Sequence, residues 1–334
     1  MSRGDDIKQK LVKNSESVDE FIENILASRN PESLYKASRY LISAGGKRLR
    51  PYLTIKSCEA VGGLAKYAVP FAASLEILHN FTLVHDDVMD NDELRRGKLT
   101  VHKKFGAPMA ILAGDLLFAK VYQSVLDHAP AHMSSDEVVT ALGKMTDSII
   151  LLCEGQALDV SFPQAMDVTE KDYLFMIGGK TSSLFMACAE VGALAGGAIK
   201  KQITALGKFA WDAGLAFQIV DDILGITADE AKLGKPVGSD IREGKKTLIM
   251  IHALANANEE QMSVLKRAVG VENASKDDIN AVVKTLEEIG SIKYAKDEAE
   301  RYAASAFESI EVIPDGPSKQ DLIDLVNYFV QREY

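Results

Sequence analysis

Apolar residues recur at three- and four-residue intervals along nearly the whole chain, and no stretch alternates strictly as a half-buried strand would. Leu75, Leu78, Thr82 and the His85-Asp86 pair keep the helical period, as do Leu112, Leu116, Ala119 and Gln123. Glycine and proline break the pattern at Gly45-Gly46, at Gly106 to Pro108, at Ala129-Pro130 and from Gly234 to Gly244. Asp315, Gly316 and Pro317 precede a last helix whose apolar positions include Leu322, Leu325 and Phe329. The pattern predicts an all-α bundle of about a dozen helices, with no internal repeat.

Composition adds little to this picture. Of 334 residues, 47% are hydrophobic and 26% charged, which is ordinary for a globular chain. With only 9 prolines and no Pro-, Ser- or Gly-rich linker, one domain spanning 1–334 is expected. The net charge of -10 argues against a nucleic-acid partner, which needs a basic face, but allows a small anion held by local cations and a divalent metal. Cys58, Cys153 and Cys188 are far apart in apolar helical stretches, so buried free thiols in a reducing compartment are expected. The polar start, Met1 to Gln9, shows no signal-peptide core, and the most apolar run, Leu184 to Ile199, holds Glu190 and several glycines. A soluble, cytoplasmic protein without a membrane span is expected.

The chemistry concentrates in two acidic segments. The first reads HNFTLVHDDVMDNDELRRGKLTVH from His79 to His102. Asp86 and Asp90, four apart, share a helical face at roughly 6 Å, with Asp87 beside them. Three carboxylates near a helix C-terminus repel one another and face the negative end of the dipole, so a cation is called for. Magnesium suits the pattern, because it takes one or two carboxylates and completes its shell with phosphate oxygens. Arg95 and Arg96 follow, suited to bidentate phosphate contacts. A solvated acidic helix end, paired to those arginines, is the bland alternative.

The second segment runs from Phe217 to Thr247, FQIVDDILGITADEAKLGKPVGSDIREGKKT. Gln218, Asp221 and Asp222 fall at i, i+3 and i+4 among apolar neighbours, and acids on a buried helix are costly unless paired or metal-bound. Positive charge stands at Gly46-Lys47-Arg48 with Arg50, at Lys180-Thr181, and at Lys235 and Lys245. A Walker A nucleotide loop fails at Gly46-Lys47, Gly179-Lys180 and Gly244-Lys245, because Leu41, Leu174 and Ser239 stand where its first glycine belongs. Two carboxylate clusters facing each other across a bundle core, with these cations, would suit two diphosphates and several magnesium ions.

In order, GGKRLRP, HDDVMDNDELRRG, GGKTS, FQIVDDILG and GKPVGSDIREGKKT resemble the trans-isoprenyl diphosphate synthase (polyprenyl synthetase) family over nearly the whole chain. The pattern is most similar to archaeal-type geranylgeranyl diphosphate synthases. The resemblance implies a single-domain isoprenoid synthase-type helical bundle around a deep central cavity, working as a homodimer. It implies that Asp86, Asp87, Asp90 and Asp221 bind magnesium, with Asp222 supporting the second cluster and three ions per loaded site. Arg95, Lys180 and Lys235 would contact the allylic diphosphate, and Gly46, Lys47, Arg48, His79 and Arg96 the isopentenyl diphosphate. Thr181 and Gln218 would lie against the allylic cation, and Lys245 would close the site. One departure is Gly225, where members often carry a third aspartate; it implies a weaker second metal cluster. Asp229, about 12 Å beyond Asp221 by helical rise, is too far to replace it.

The resemblance further implies condensation of isopentenyl diphosphate with dimethylallyl, geranyl or farnesyl diphosphate, giving a C20 product, alone or with C15. In the family an aromatic at the fifth position before the first motif, here Phe81, shortens the product, while the small Thr82 suits a deeper pocket. Ideal helical geometry sets Thr82 nearly beneath Asp86 and swings Phe81 about 140° away, so Phe81 is implicated by the resemblance alone. A terpene cyclase would usually carry an NSE-type second site in place of the second DD. A non-catalytic regulatory subunit could lose metal ligands that this chain keeps.

Overall fold

A computed structural model describes residues 3–165, 167–227 and 238–331, and these are almost entirely helical. The helices are α1 (Arg3–Ile25), α2 (Glu32–Ile42), α3 (Leu49–Ala60), α4 (Ala65–Met89), α5 (Val101–Phe105), α6 (Ala107–His128), α7 (Ser135–Ser161) and α8 (Glu170–Ile177). A π-helical turn, Gly178–Ser182, joins α8 to α9 (Ser183–Ala195). There follow α10 (Lys200–Thr227), α11 (Ser239–Arg242), α12 (Leu248–Asn256), α13 (Glu259–Leu265), α14 (Lys276–Ile289), α15 (Ser291–Ser309) and α16 (Pro317–Val330). The all-α expectation holds, and Leu322, Leu325 and Phe329 of α16 are buried as its periodicity required. One element escapes the helical reading: a two-stranded hairpin of β1 (Leu94–Arg95) and β2 (Lys98–Leu99).

The chain divides into two compact units, each assembled from three separate stretches. The first comprises residues 1–147, 184–207 and 310–324, and the second 148–183, 208–309 and 325–334. In the first, α4 packs most extensively on α6 and α3, with α1 also against it. Its core includes Phe71, Leu75, Leu78, Leu117 and Val121, all wholly buried. In the second, α12, α14 and α15 pack together around Leu248, Val282, Leu286 and Ala295.

Two expectations need adjusting in detail. Cys58 and Cys188 are buried free thiols, pushed up to about 12 by burial, but Cys153 is exposed on α7. A helical period does not fix which side of α7 faces the core. Similarly, Leu112, Ala119 and Gln123 of α6 lie on the exposed side, while Ala113, Leu117, Val121 and Val125 face the core. Among the described residues α6 is the one helix long and apolar enough to cross a membrane by length and composition, and 44% of its apolar window is buried.

Close helix contact in the first unit depends on glycine. A Cβ added at Gly192 of α9 would lie 2.1 Å from the Thr54 carbonyl oxygen of α3, and one at Gly196 would lie 2.6 Å from the Cys58 carbonyl oxygen. The helices cannot keep their separation around a methyl group there. Gly192→Ala should therefore destabilise the protein by about 1–3 kcal/mol, measured by denaturant unfolding; an unchanged midpoint would contradict this contact.

Candidate functional site

In the first unit, the last turn of α4 carries the first acidic motif. Asp86 is half-buried, Asp90 caps the helix in the open, and Asp87 is wholly buried. One Asp87 oxygen accepts from Arg95 Nε, and the other, Oδ2, is buried with no hydrogen-bond partner. Burial raises the Asp87 pKa, partly offset by Arg95. Chain reversal after the motif is sharp: Asp92 N–H donates to the Asp87 carbonyl, and Thr100 Oγ1 donates to the Asp92 carbonyl.

The hairpin then presents the two arginines. Its turn residues, Arg96 (φ 53) and Gly97 (φ 71), both have positive φ, as the type I′ turns that suit strand twist require. Arginine in that region is uncommon and marks a constrained position. Arg96 Nη1 donates to the Gly45 carbonyl, and a Cβ at Gly46 would come within 3.1 Å of Arg96 Nη2. Gly46 thus makes room for the guanidinium.

Arg48 and Arg50 have different surroundings. Arg48, also left-handed (φ 51), donates from Nε to Asp19 (2.8 Å), from Nη1 to Glu76 (2.8 Å) and from Nη2 to the Ile42 carbonyl (3.3 Å). Its guanidinium is committed within the fold. Arg50 stacks over Phe185 at 4.8 Å, and its buried Nε has no partner. Burial lowers the Arg50 and Arg96 pKa values, and Lys47 is exposed. His79 is held well below its ordinary value by burial and by Arg50, Arg96, Arg95 and Arg48.

Phe81 stacks against His85 (4.8 Å) and Phe118 (5.2 Å), and Phe118 continues to Tyr122. Thr82 is buried, its hydroxyl donating to the His79 carbonyl at 2.8 Å. Phe81 is therefore part of a row of rings, His85, Phe81, Phe118 and Tyr122, shared by α4 and α6, a contact that the helical wheel of α4 alone does not show.

In the second unit, hydrogen bonds order the second motif. Thr181 Oγ1 donates to Gln218 (2.8 Å), Gln218 Nε2 donates to Asp222 (2.9 Å), and the buried Tyr173 hydroxyl donates to the other Asp222 oxygen (2.7 Å). Burial pushes Asp222 up to about 7, opposed by the Tyr173 and Gln218 hydrogen bonds. Asp221 is half-buried beside it. Lys180 pairs with Asp159 of α7 at 2.5 Å, and Lys245 with Asp240 at 2.9 Å. For Lys245, burial works against the charge, but Asp240 outweighs it and the pKa rises. At Gly225 a Cβ would meet Asp240 Oδ2 at 2.8 Å, so a carboxylate from α11 reaches the place where the motif lacks its third aspartate. Lys235 and Asp229 lie outside the described residues. No local pattern marks Asp159 or Tyr173, whose partners lie 21 and 49 residues away, whereas Asp240 stands five residues from Lys245 within GKPVGSDIREGKKT.

Among the described residues no three His, Cys, Asp or Glu side chains form a ready-made metal site. The donor sets nevertheless fit magnesium: hard carboxylate oxygens stand on accessible helix faces, with one buried oxygen of Asp87 unpartnered, and phosphate oxygens would complete the shell.

The polyprenyl synthetase family description matches residues 31–286. The geranylgeranyl diphosphate synthase of Sulfolobus acidocaldarius is 44% identical over 306 residues, 92% of this chain and 91% of that protein. The geranylfarnesyl diphosphate synthase of Aeropyrum pernix is 39% identical over 319 residues, 94% of this chain and 99% of that protein. The crystal structure of geranylgeranyl pyrophosphate synthetase from Pyrococcus horikoshii has a TM-score of 0.90 at 42% identity, covering 99% of this chain and 98% of that one. The architecture is therefore the all-α isoprenyl synthase fold. The chain belongs to the polyprenyl synthetase family and is a short-chain prenyltransferase.

His79 yields a prediction. Unfolded, it takes a proton near 6.5, whereas the folded chain resists protonation. Below pH 6.5 the unfolded state binds the extra proton, so folding stability falls with pH. His79→Gln removes that loss, and its Tm should drop less than that of the unsubstituted protein between 6.5 and roughly pH 5. Parallel Tm profiles would show that His79 is protonated alike in both states.

Proposed function

We propose that the chain is a magnesium-dependent geranylgeranyl diphosphate synthase that extends dimethylallyl, geranyl and farnesyl diphosphates head to tail with isopentenyl diphosphate. One observation carries this reading: Arg50 Nε is buried with no hydrogen-bond partner and, among the described residues, no carboxylate pairs with its guanidinium, which stands among further arginines and a neutral histidine. Such a cluster is costly until an anion arrives. Lys47, Arg50, His79 and Arg96 take the isopentenyl diphosphate, with Gly46 giving clearance. Arg48 holds the loop that carries them, so its part is positioning.

Asp86, Asp87 and Asp90 would hold magnesium in the first unit, Asp87 through the oxygen that Arg95 leaves free. Asp221, supported by Asp222, would do so in the second, and Asp240 supplies the third carboxylate that Gly225 omits. Bound there, magnesium neutralises diphosphate charge and so lowers the barrier to leaving. Arg95, Lys180, Lys235 and Lys245 supply charge-assisted hydrogen bonds to the departing diphosphate, which leaves with the C1–O electron pair. Thr181 and Gln218, locked by their mutual hydrogen bond, present oxygen dipoles to the allylic cation. The isopentenyl double bond forms the new carbon–carbon bond, and the proton then lost goes to a diphosphate oxygen.

The aromatic row from Phe81 to Tyr122 supports a floor for the growing chain. Geranylgeranyl and geranylfarnesyl synthases share this family, so local side chains must set product length. A homodimer is supported by the exposed apolar side of α6, including Ile111 and Leu112. The interleaving of both units along the sequence supports their acting as one catalytic domain. The buried free thiols Cys58 and Cys188 fit the cytoplasm.

Incubation with magnesium, isopentenyl diphosphate and dimethylallyl diphosphate should give a C20 product; no product from any allylic starter would overturn the reading. Phe81→Ala should yield chains beyond C20, and unchanged length would remove Phe81 as the floor. Arg50→Gln should raise the KM for isopentenyl diphosphate about 100-fold with little change in Tm. Arg48→Gln should instead cost about 3–5 kcal/mol of stability, because it strands Glu76. Equal effects on KM from both substitutions would refute the division of roles.

A further inference from the structure

One pole of the first unit exposes apolar side chains that the prenyl-transfer site does not use. α4 runs from Ala65 to its acidic motif, so its start lies about 30 Å from Asp86 by helical rise. At that start the 61–64 loop meets the end of α9, where a Cβ at Gly63 would lie 2.5 Å from the Gly196 Cα. His132 reaches the same place, its ring 4.3 Å from that of Tyr67 and its Nε2 3.1 Å from the Ala195 carbonyl oxygen. Ser318 at the start of α16 donates to Glu59 of α3 at 3.3 Å. The loops 61–64, 129–134, 196–199 and 310–316 therefore share this pole, where Leu64 is 52% exposed, Ile199 65% and Val312 42%.

Two of these residues stand where a helix prefers something else. Leu64 is the N-cap of α4 and makes no side-chain cap bond, and Ile199 precedes α10, its carbonyl accepting from the Ile203 N–H at 3.1 Å. Serine, threonine, aspartate or asparagine is favoured at such a position. Lys66 follows Leu64 closely and Lys200-Lys201 follow Ile199, all three exposed. Cations in a first turn oppose the helix dipole, and neither helix has an acid there. Both helix starts thus run against helix stability twice, with the same two features, an apolar tip and lysines behind it. No carboxylate among the described residues pairs with any of the three lysines. The acids of this pole are mostly occupied elsewhere: Asp315 pairs with Lys319, Glu59 with Lys56, and Glu137 accepts from Ser134, which leaves Glu311 and Asp136.

We propose that this pole is a docking surface for an anionic lipid bilayer, with Leu64 and Ile199 entering the headgroup region and Lys66, Lys200 and Lys201 meeting lipid phosphates. Apolar tips backed by lysines fit that boundary, because the tips leave water while the ammonium groups stay among the headgroups. Single apolar residues on separate loop tips suit a deformable partner better than a rigid one. The product of a prenyltransferase is an amphiphile, and release at a bilayer gives its chain an apolar medium.

The test uses the full chain and vesicles of phosphatidylcholine, with and without phosphatidylglycerol, read by co-sedimentation. The parent should bind the anionic vesicles and leave them in high salt. Leu64→Ser combined with Ile199→Ser should lower the partition coefficient about 10-fold, and Lys66→Gln with Lys200→Gln and Lys201→Gln about 100-fold. Both variants should unfold at the parental temperature or above, because each improves its helix starts, and should keep parental turnover without vesicles. No binding by the parent, or parental binding by both variants, would overturn the inference. So would a lower Tm of the serine variant, since Leu64 and Ile199 would then be packed within the fold. A fall in that variant's molar mass in solution would also overturn it, since the pole would then join two copies of the chain.

Discussion

The guanidinium of Arg48 lies between Asp19 of α1, Glu76 of α4 and the Ile42 carbonyl of α2, joining three helices at one point. Glu76 is 2% exposed and Arg48 8%. A carboxylate so deep needs a full partner, because a stranded charge costs several kcal/mol. With Arg48 committed in this way, the loop from Gly45 to Arg48 has one place to be. Lys47 and Arg50 are then carried on a fixed support, and Arg50 can be left without a carboxylate because Arg48 has already neutralised the nearest one. A fully paired arginine and one whose Nε is buried without a partner thus stand two residues apart.

The second unit solves the opposite problem, holding carboxylates near one another. Tyr173, Asp222, Gln218 and Thr181 form a chain of donors and acceptors in which each group fixes the next. A carboxylate held by two donors has its lone pairs directed, so Asp222 steadies Gln218 with Asp221 beside it. Asp240 enters through the gap left by Gly225 and is held by Lys245. A carboxylate from another helix thus occupies the space that a side chain at position 225 would take.

Much of this was legible in the sequence, for physical reasons. Apolar spacing reports helices directly, and the DDxxD and RRG segments are local, so their residues meet whatever the tertiary fold. The divergence of Arg48 from Arg50 could not be read, because Asp19 and Glu76 lie 29 and 28 residues from Arg48. Asp159 meets Lys180 across 21 residues, and Tyr173 meets Asp222 across 49. The facing of α6 was also beyond the pattern, since a helix apolar on two sides gives no single stripe. The hairpin at Arg95 to Lys98 was too short to alternate, although its Arg-Gly pair occupies a turn where glycine is expected.

The π turn at Gly178–Ser182 has a meaning for descent as well as for geometry. Such a turn holds one residue more than the α-helical turn it replaces, so it corresponds to a single insertion tolerated inside a helix. Removing one glycine would restore a regular helix, but would rotate Tyr173 of α8 against Lys180 of the turn by about 100°. The two side chains would no longer address their present partners, Asp222 and Asp159. The reading frame of the helix is thus fixed by its irregularity, and a length change of one residue here alters chemistry where the same change in a surface loop would not.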